Sequence, residues 1–264
     1  MNVTRGAGRA PLAAILFFSS VLLVAGAGAS WSDPLKSWYG SDPRSASYAS
    51  ARGELGRIFS EAARQHVPQW LLMDRLREGE AKGIPPDTLV SALHAELGRL
   101  VQARLLMANA GLRGTLLSRP GDETLKEVGI YLRAGLPDKL VGELLAAGAG
   151  MQRGYESALA ACGAIMDLRA VAPLEDADSV QIGKLLMASG MQPSGYASLA
   201  LVYGLGRSRG LSHEALVHDV IMSTLSTGGG LAIMNQKIES TPIAEPLAPA
   251  RSHPPRAPGK VRQR

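Results

Sequence analysis

Apolar residues recur along most of this chain three and four positions apart, the spacing of one face of a helix. Leu55, Ile58, Phe59 and Ala62 share such a face, as do Leu89, Leu93, Leu97 and Leu100. Leu125, Val128 and Leu132 repeat the pattern, and Val217, Val220 and Ile221 repeat it again. Alanine and leucine dominate while aromatic and β-branched residues are sparse, which favours helices over strands. Glycine or proline interrupts the pattern at Pro68, Gly83-Ile84-Pro85, Pro120-Gly121, Gly135-Leu136-Pro137, Pro173, Pro193 and Gly210. The expectation is an all-α body over residues 51–240, of about nine helices with roughly 11–20 residues each.

The interruptions resemble one another. Residues 79–84, 150–155 and 206–211 share the form G-x-x-[K/R]-G-apolar, with Lys82, Arg153 and Arg209 at the cationic position. Each follows a helix that begins near a proline and precedes another helix. The order helix–Pro–helix–Gly–helix therefore occurs three times, and it predicts an irregular, partly solenoid-like stack. A cation in the last helical turn faces the negative end of the dipole, and the second glycine supplies a left-handed cap. The first glycine weakens the helix, so the expectation is a close helix crossing there. Equivalent positions in stacked units would line one edge, which makes Lys82, Arg153 and Arg209 candidate partner-binding residues.

Both ends of the chain differ from this body. Residues 1–29 carry Arg5 and Arg9, then the apolar run Leu12–Val24, then Ala27-Gly28-Ala29. That is the layout of a cleavable secretory signal, and its core is shorter than the ~20 residues of a membrane span. The expected mature chain begins at Ser30, has no transmembrane span, and is periplasmic or secreted. Residues 30–50, with Trp31 and Trp38, lack periodicity and read as an extended linker. Residues 241–264 hold six prolines and five cations, and read as a disordered basic tail.

Charge follows the same division. The chain carries a formal +5, but the leader contributes two positive charges and the tail a net four, which leaves the body near −1. Such a body has no field with which to attract nucleic acid. Cys162 is the one cysteine, so no intrachain disulfide is possible, and its apolar neighbours predict a buried, inert thiol.

The stretch Arg77-Glu78-Gly79-Glu80-Ala81-Lys82-Gly83-Ile84-Pro85-Pro86 resembles an "EGxAKGxxP" helical segment of exported bacterial proteins with no assigned activity. The likeness covers residues 66–93. It implies a helical, exported bacterial protein and carries over no catalytic residue.

Candidate chemistry is sparse. Gly206-Arg207-Ser208-Arg209-Gly210 fits the G-x-S-x-G of a hydrolase nucleophile elbow, with Leu199–Tyr203 as the strand such an elbow requires. No βαβ series precedes it, and the sister turns have Ala81 and Gln152 at the serine position. His213 and His218 are five apart, roughly 140° around a helix, so they do not face one metal ion. Glu78 and Glu80 point to different sides of their helix and are no obvious acid–base pair. The sequence therefore points to an envelope-associated interaction or structural protein, without cofactor or metal. Its expected partner is another envelope protein or an anionic envelope polymer. The alternative is a hydrolase acting on envelope material, with Ser208 as nucleophile.

Overall fold

The computed structural model describes residues 34–113, 121–150 and 154–241. The leader, the greater part of the basic tail and the turn containing Arg153 lie outside the described residues.

Every element among the described residues is helical. In chain order they are α1 (Pro34–Ser41), a 3-10 helix (Pro43–Ala51), α2 (Arg52–Arg64), α3 (Gln69–Ala81), α4 (Pro86–Arg113), α5 (Asp122–Arg133), α6 (Asp138–Gly150), α7 (Gly154–Val171) and α8 (Asp176–Ala188). A second 3-10 helix (Pro193–Ser198) leads into α9 (Leu199–Ser208). A π-helical stretch (Ala215–Met222) then runs on through α10 (Ser223–Ser226), and α11 (Leu231–Ser240) closes the described chain. The all-α expectation holds, with ten α-helices (α2 to α11) among the described residues of 51–240, where about nine were expected.

Packing proceeds along the chain. Helix α4 is the longest, and at 28 residues it runs about 42 Å. It packs on α2, α3, α5 and α6, while α7 packs on α5, α6, α8 and α9. Helix α6 touches both and joins the two halves. The hydroxyl of Tyr155 on α7 donates to the Met107 carbonyl of α4 at 2.9 Å, tying the same two long helices together. Leucines fill much of the core, some of them from the periodic pattern. Leu55, Leu72, Leu93, Leu100, Leu140 and Leu144 are fully buried, and truncating any of them to alanine removes about 2–5 kcal/mol.

Helix ends repeat one geometry more widely than the sequence motif suggested. After α3, Gly83 has φ +64°, the Gly83 amide donates to Glu80 and the Ile84 amide donates back to Gly79. Gly135, Gly210 and Gly228 close their helices with the same pair of bonds. His66 does so without being glycine, at φ 53°. These bonds satisfy carbonyls that a helix end leaves open, and the left-handed residue turns the chain back. The apolar residue that follows is buried at Val67, Leu136 and Leu211.

The first glycine of the motif marks a close crossing, as expected. A Cβ on Gly79 would stand 2.4 Å from Leu89 Cδ1, and one on Gly206 would stand 2.1 Å from Leu216 Cδ2. Only a bare backbone lets these leucines of the next helix seat themselves there.

The extended-linker expectation fails over residues 34–50, which are helical apart from the cap at Asp42. Leu35, Trp38, Tyr48 and Ala51 are buried, and Asp42 caps the 3-10 helix by accepting from the Arg44 amide at 3.0 Å. Trp38 Nε1 donates to Glu80 Oε2 at 3.0 Å, and the Tyr48 hydroxyl donates to the Ile84 carbonyl at 2.8 Å. This N-terminal arm thus clasps the end of α3 from behind. The aromatic residues that looked like linker punctuation supply the apolar surface that docks it.

Candidate functional site

The face of α3 opposite the arm carries a cluster of charged side chains. Two adjoining cavities, of about 230 and 300 Å³, lie between α3, α4 and α5 and share Arg75, Glu78, Glu96 and Arg133 as walls. Helical spacing puts the pairs together locally. Arg75, Glu78 and Lys82 lie three and four apart on α3, and Glu96 and Arg99 lie three apart on α4. Only the fold adds Arg133, which arrives from the last turn of α5, 37 residues away.

The result is two cation–carboxylate–cation triads side by side. Glu78 accepts from Lys82 Nζ at 2.7 Å and from Arg75 on its other oxygen. Glu96 accepts from Arg99 Nη1 at 3.1 Å. Its two oxygens also receive Arg133 side-on, through Nε at 3.2 Å and through Nη2. Glu96 is only 5% exposed, on the same stripe of α4 as Leu93, Leu97 and Leu100. A carboxylate there requires partners, and the two guanidiniums supply them. The hydrogen bond from Lys82, and then that from Arg75, holds the Glu78 carboxyl below the usual glutamate range.

Across both cavities the walls hold five cations (Arg75, Lys82, Arg99, Lys126 and Arg133) against three carboxylates (Asp74, Glu78 and Glu96). Glu78 and Glu96 are already bonded on both oxygens. The cations are less fully engaged, because a guanidinium carries five N–H donors and an ammonium three. A groove with net positive charge and donors to spare can accept an anion. Its floor is aliphatic, formed by Ile84, Leu89 and Leu93.

The residues singled out from sequence are dispersed. Lys82 lies in this groove. Arg209 sits just past the end of α9, where Nη1 reaches the Glu239 carbonyl of α11 at 3.4 Å. Arg153 lies outside the described residues. Helix α3 packs on α1, α2 and α4, while α9 packs on α7, the second 3-10 helix, the π-helical stretch and α11. Lys82 and Arg209 thus stand at the ends of helices with different neighbours. Neither side chain bonds a carbonyl of its own helix end, since Lys82 prefers Glu78 and Arg209 prefers α11. Arg207 is the residue that closes its own turn, donating to the Leu211 carbonyl at 2.7 Å.

The elbow geometry is not formed at Ser208. Leu199–Tyr203, the strand that elbow requires, is the first half of α9. The Ser208 hydroxyl donates to the Leu205 carbonyl one turn back, at 2.7 Å, which is ordinary local bonding at a helix end. His213 is engaged elsewhere, with Nδ1 3.0 Å from the Tyr203 hydroxyl. Cys162 is buried, and desolvation pushes its thiol up to about 12, so the thiolate nucleophile does not form near neutral pH. Glu78 and Glu80 do face opposite ways, one into the groove and the other onto Trp38.

Sequence reasoning missed Arg75, Glu96, Arg99 and Arg133. One signal was available: Glu96 interrupts the Leu89–Leu93–Leu97–Leu100 face, and a charge on an apolar stripe calls for a buried partner. The partner's identity was not readable, because α5 lies beyond a break in the helical pattern. Comparison with protein-family models, with curated proteins and with solved structures finds no match.

Proposed function

We propose that this chain is an exported bacterial envelope protein with an interaction or structural role, and that the α3–α4–α5 groove is where it meets an anionic partner. The observation that carries the proposal is the pair of triads. They hold cations on an open face with more donors than the neighbouring carboxylates use. The leader-like residues 1–29 and the exported-protein segment around Glu78–Pro86 support the location. The all-α body, with a groove open between α3, α4 and α5, supports a binding surface over an enclosed reaction chamber. The hydrolase alternative loses its structural basis at Ser208, whose hydroxyl serves its own helix end.

The test has two arms. N-terminal sequencing of the protein from the envelope fraction should return Ser30 as the first residue, and an intact Met1 would refute processing at that point. The mature protein should be retained on envelope material, with retention falling steeply as salt rises. The double substitution Lys82→Gln and Lys126→Gln should lower retention at least fivefold without changing the melting temperature by more than a degree or two. Unchanged retention of that folded variant removes the groove from the proposal.

A further inference from the structure

We infer that the groove takes an acidic segment of a partner protein in which carboxylate side chains are interspersed with aliphatic ones. This rests on the reading of the groove as the partner-binding face and adds the class of ligand. Three observations narrow the chemistry.

The first is the modest charge surplus. A dense polyanion such as a phosphate polymer is met best by cations with no carboxylates among them. Here Asp74, Glu78 and Glu96 stand between the cations and leave a surplus of only two positive charges. A chain with two or three well-spaced acidic groups matches that surplus, whereas a charge at every unit would meet the groove's own carboxylates.

The second is the form of the cations. Arg99 and Arg75 each engage one nitrogen in their local carboxylates. Their planar forks suit a bidentate carboxylate. Glu96 holds Arg99 and Arg133 in place, so little side-chain freedom is lost when a ligand arrives.

The third is apolar surface placed among the charges. Ile130 is 40% exposed on α5, four residues after Lys126 and three before Arg133. On the opposite wall Ala92 is exposed above the buried Leu89 and Leu93. An aliphatic side chain set between acidic ones would cover Ile130 while its neighbours reach Lys126 and Arg133. A ligand without apolar groups would leave Ile130 wet.

The experiment measures binding to the mature protein of three fluorescent probes. They are a 12-residue peptide alternating Glu with Leu in its central half, a poly-glutamate of equal charge, and inorganic polyphosphate. The Glu–Leu peptide should bind at least fivefold tighter than either control. Ile130→Ser should weaken it about fivefold with the salt dependence unchanged. Lys82→Gln with Lys126→Gln should weaken it as much and flatten the salt dependence. Ile130 and Lys82 are exposed and Lys126 is half-buried, and unchanged melting confirms that both variants fold. Equal or tighter binding of either control, or no effect of Ile130→Ser, overturns the inference while leaving an anion-binding groove. If no probe binds but envelope retention still depends on Lys82 and Lys126, the inference fails and the groove reading survives. If that dependence is also missing, both fall.

Discussion

The turn after α3 and the turn after α9 are one local structure in two surroundings. Each has a glycine that a leucine of the next helix presses against, a cation three residues on, a left-handed glycine and an apolar residue folding back. At the first turn the outer face is open. Lys82 joins a network with Glu78 and Arg75, and Leu89 lines the neighbouring cavity. At the second turn α11 packs alongside α9, Arg209 reaches its carbonyl, and Leu216 is fully buried. The same helix-stop chemistry thus borders an open, charged face in one place and a structural seam in the other. The motif specifies a turn, and its neighbours decide what the turn is for.

The largest expected difference lies at the first glycines. Gly206→Ala drives a methyl into Leu216, which is fully buried, so about 2 kcal/mol should be lost even after the helix-propensity gain of about 1 kcal/mol. Gly79→Ala meets Leu89, whose neighbouring cavity gives it room to shift, and the net loss should be closer to 1 kcal/mol. Urea denaturation of the two variants measures this. Equal losses would mean that the open groove offers Leu89 no relief.

A smaller and equal effect is expected at the second glycines. Nothing lies within 4 Å of a Cβ on Gly83 or Gly210, so packing does not enter. Left-handed φ alone should cost about 1 kcal/mol for Gly83→Ala and for Gly210→Ala. Thermal melts that separate the two by more than about 3 °C, the shift produced by roughly 1 kcal/mol in a body of this size, would break the claim that the turns are locally the same.

The smallest effect distinguishes the two cations by pH. Lys82→Gln should cost a few tenths of a kcal/mol, about the worth of an exposed pair, and Arg209→Gln about as little. Glu78 is held below its ordinary value of about 4.3. Its contribution with Lys82 is therefore complete above that pH and is lost as pH falls through the depressed value. The cost of Lys82→Gln should vanish in acid, whereas that of Arg209→Gln should persist, because a backbone carbonyl does not titrate. Melting curves taken stepwise from neutral pH down into acid compare them, and two costs that follow the same course with pH would remove Glu78 as the partner of Lys82.

Much of the helical framework was legible because it is local. The leucine faces, the Gly–apolar–Pro stops and the close crossing at Gly79 and Gly206 follow from spacing and from what glycine permits. The arm at residues 34–50 was misread because composition outweighed its signals, although Pro34 opens a helix and Asp42-Pro43 opens another. Leu35 and Trp38 bury themselves against α3, and that requires the tertiary partner. The candidate site was half legible: Lys82 and its neighbour Glu78 were in view, while the Arg99–Glu96–Arg133 triad was not.

By itself the sequence determined that the described body would be helical, where most helices would stop and that Cys162 would be inert, since each depends on interactions within a few residues. Tertiary structure alone decided that Arg133 meets Glu96, that Trp38 meets Glu80, and that Lys82 faces an open groove while Arg209 reaches α11. Those outcomes join residues 30 to 42 positions apart, and hydrophobic spacing says that a face will be buried without saying against what.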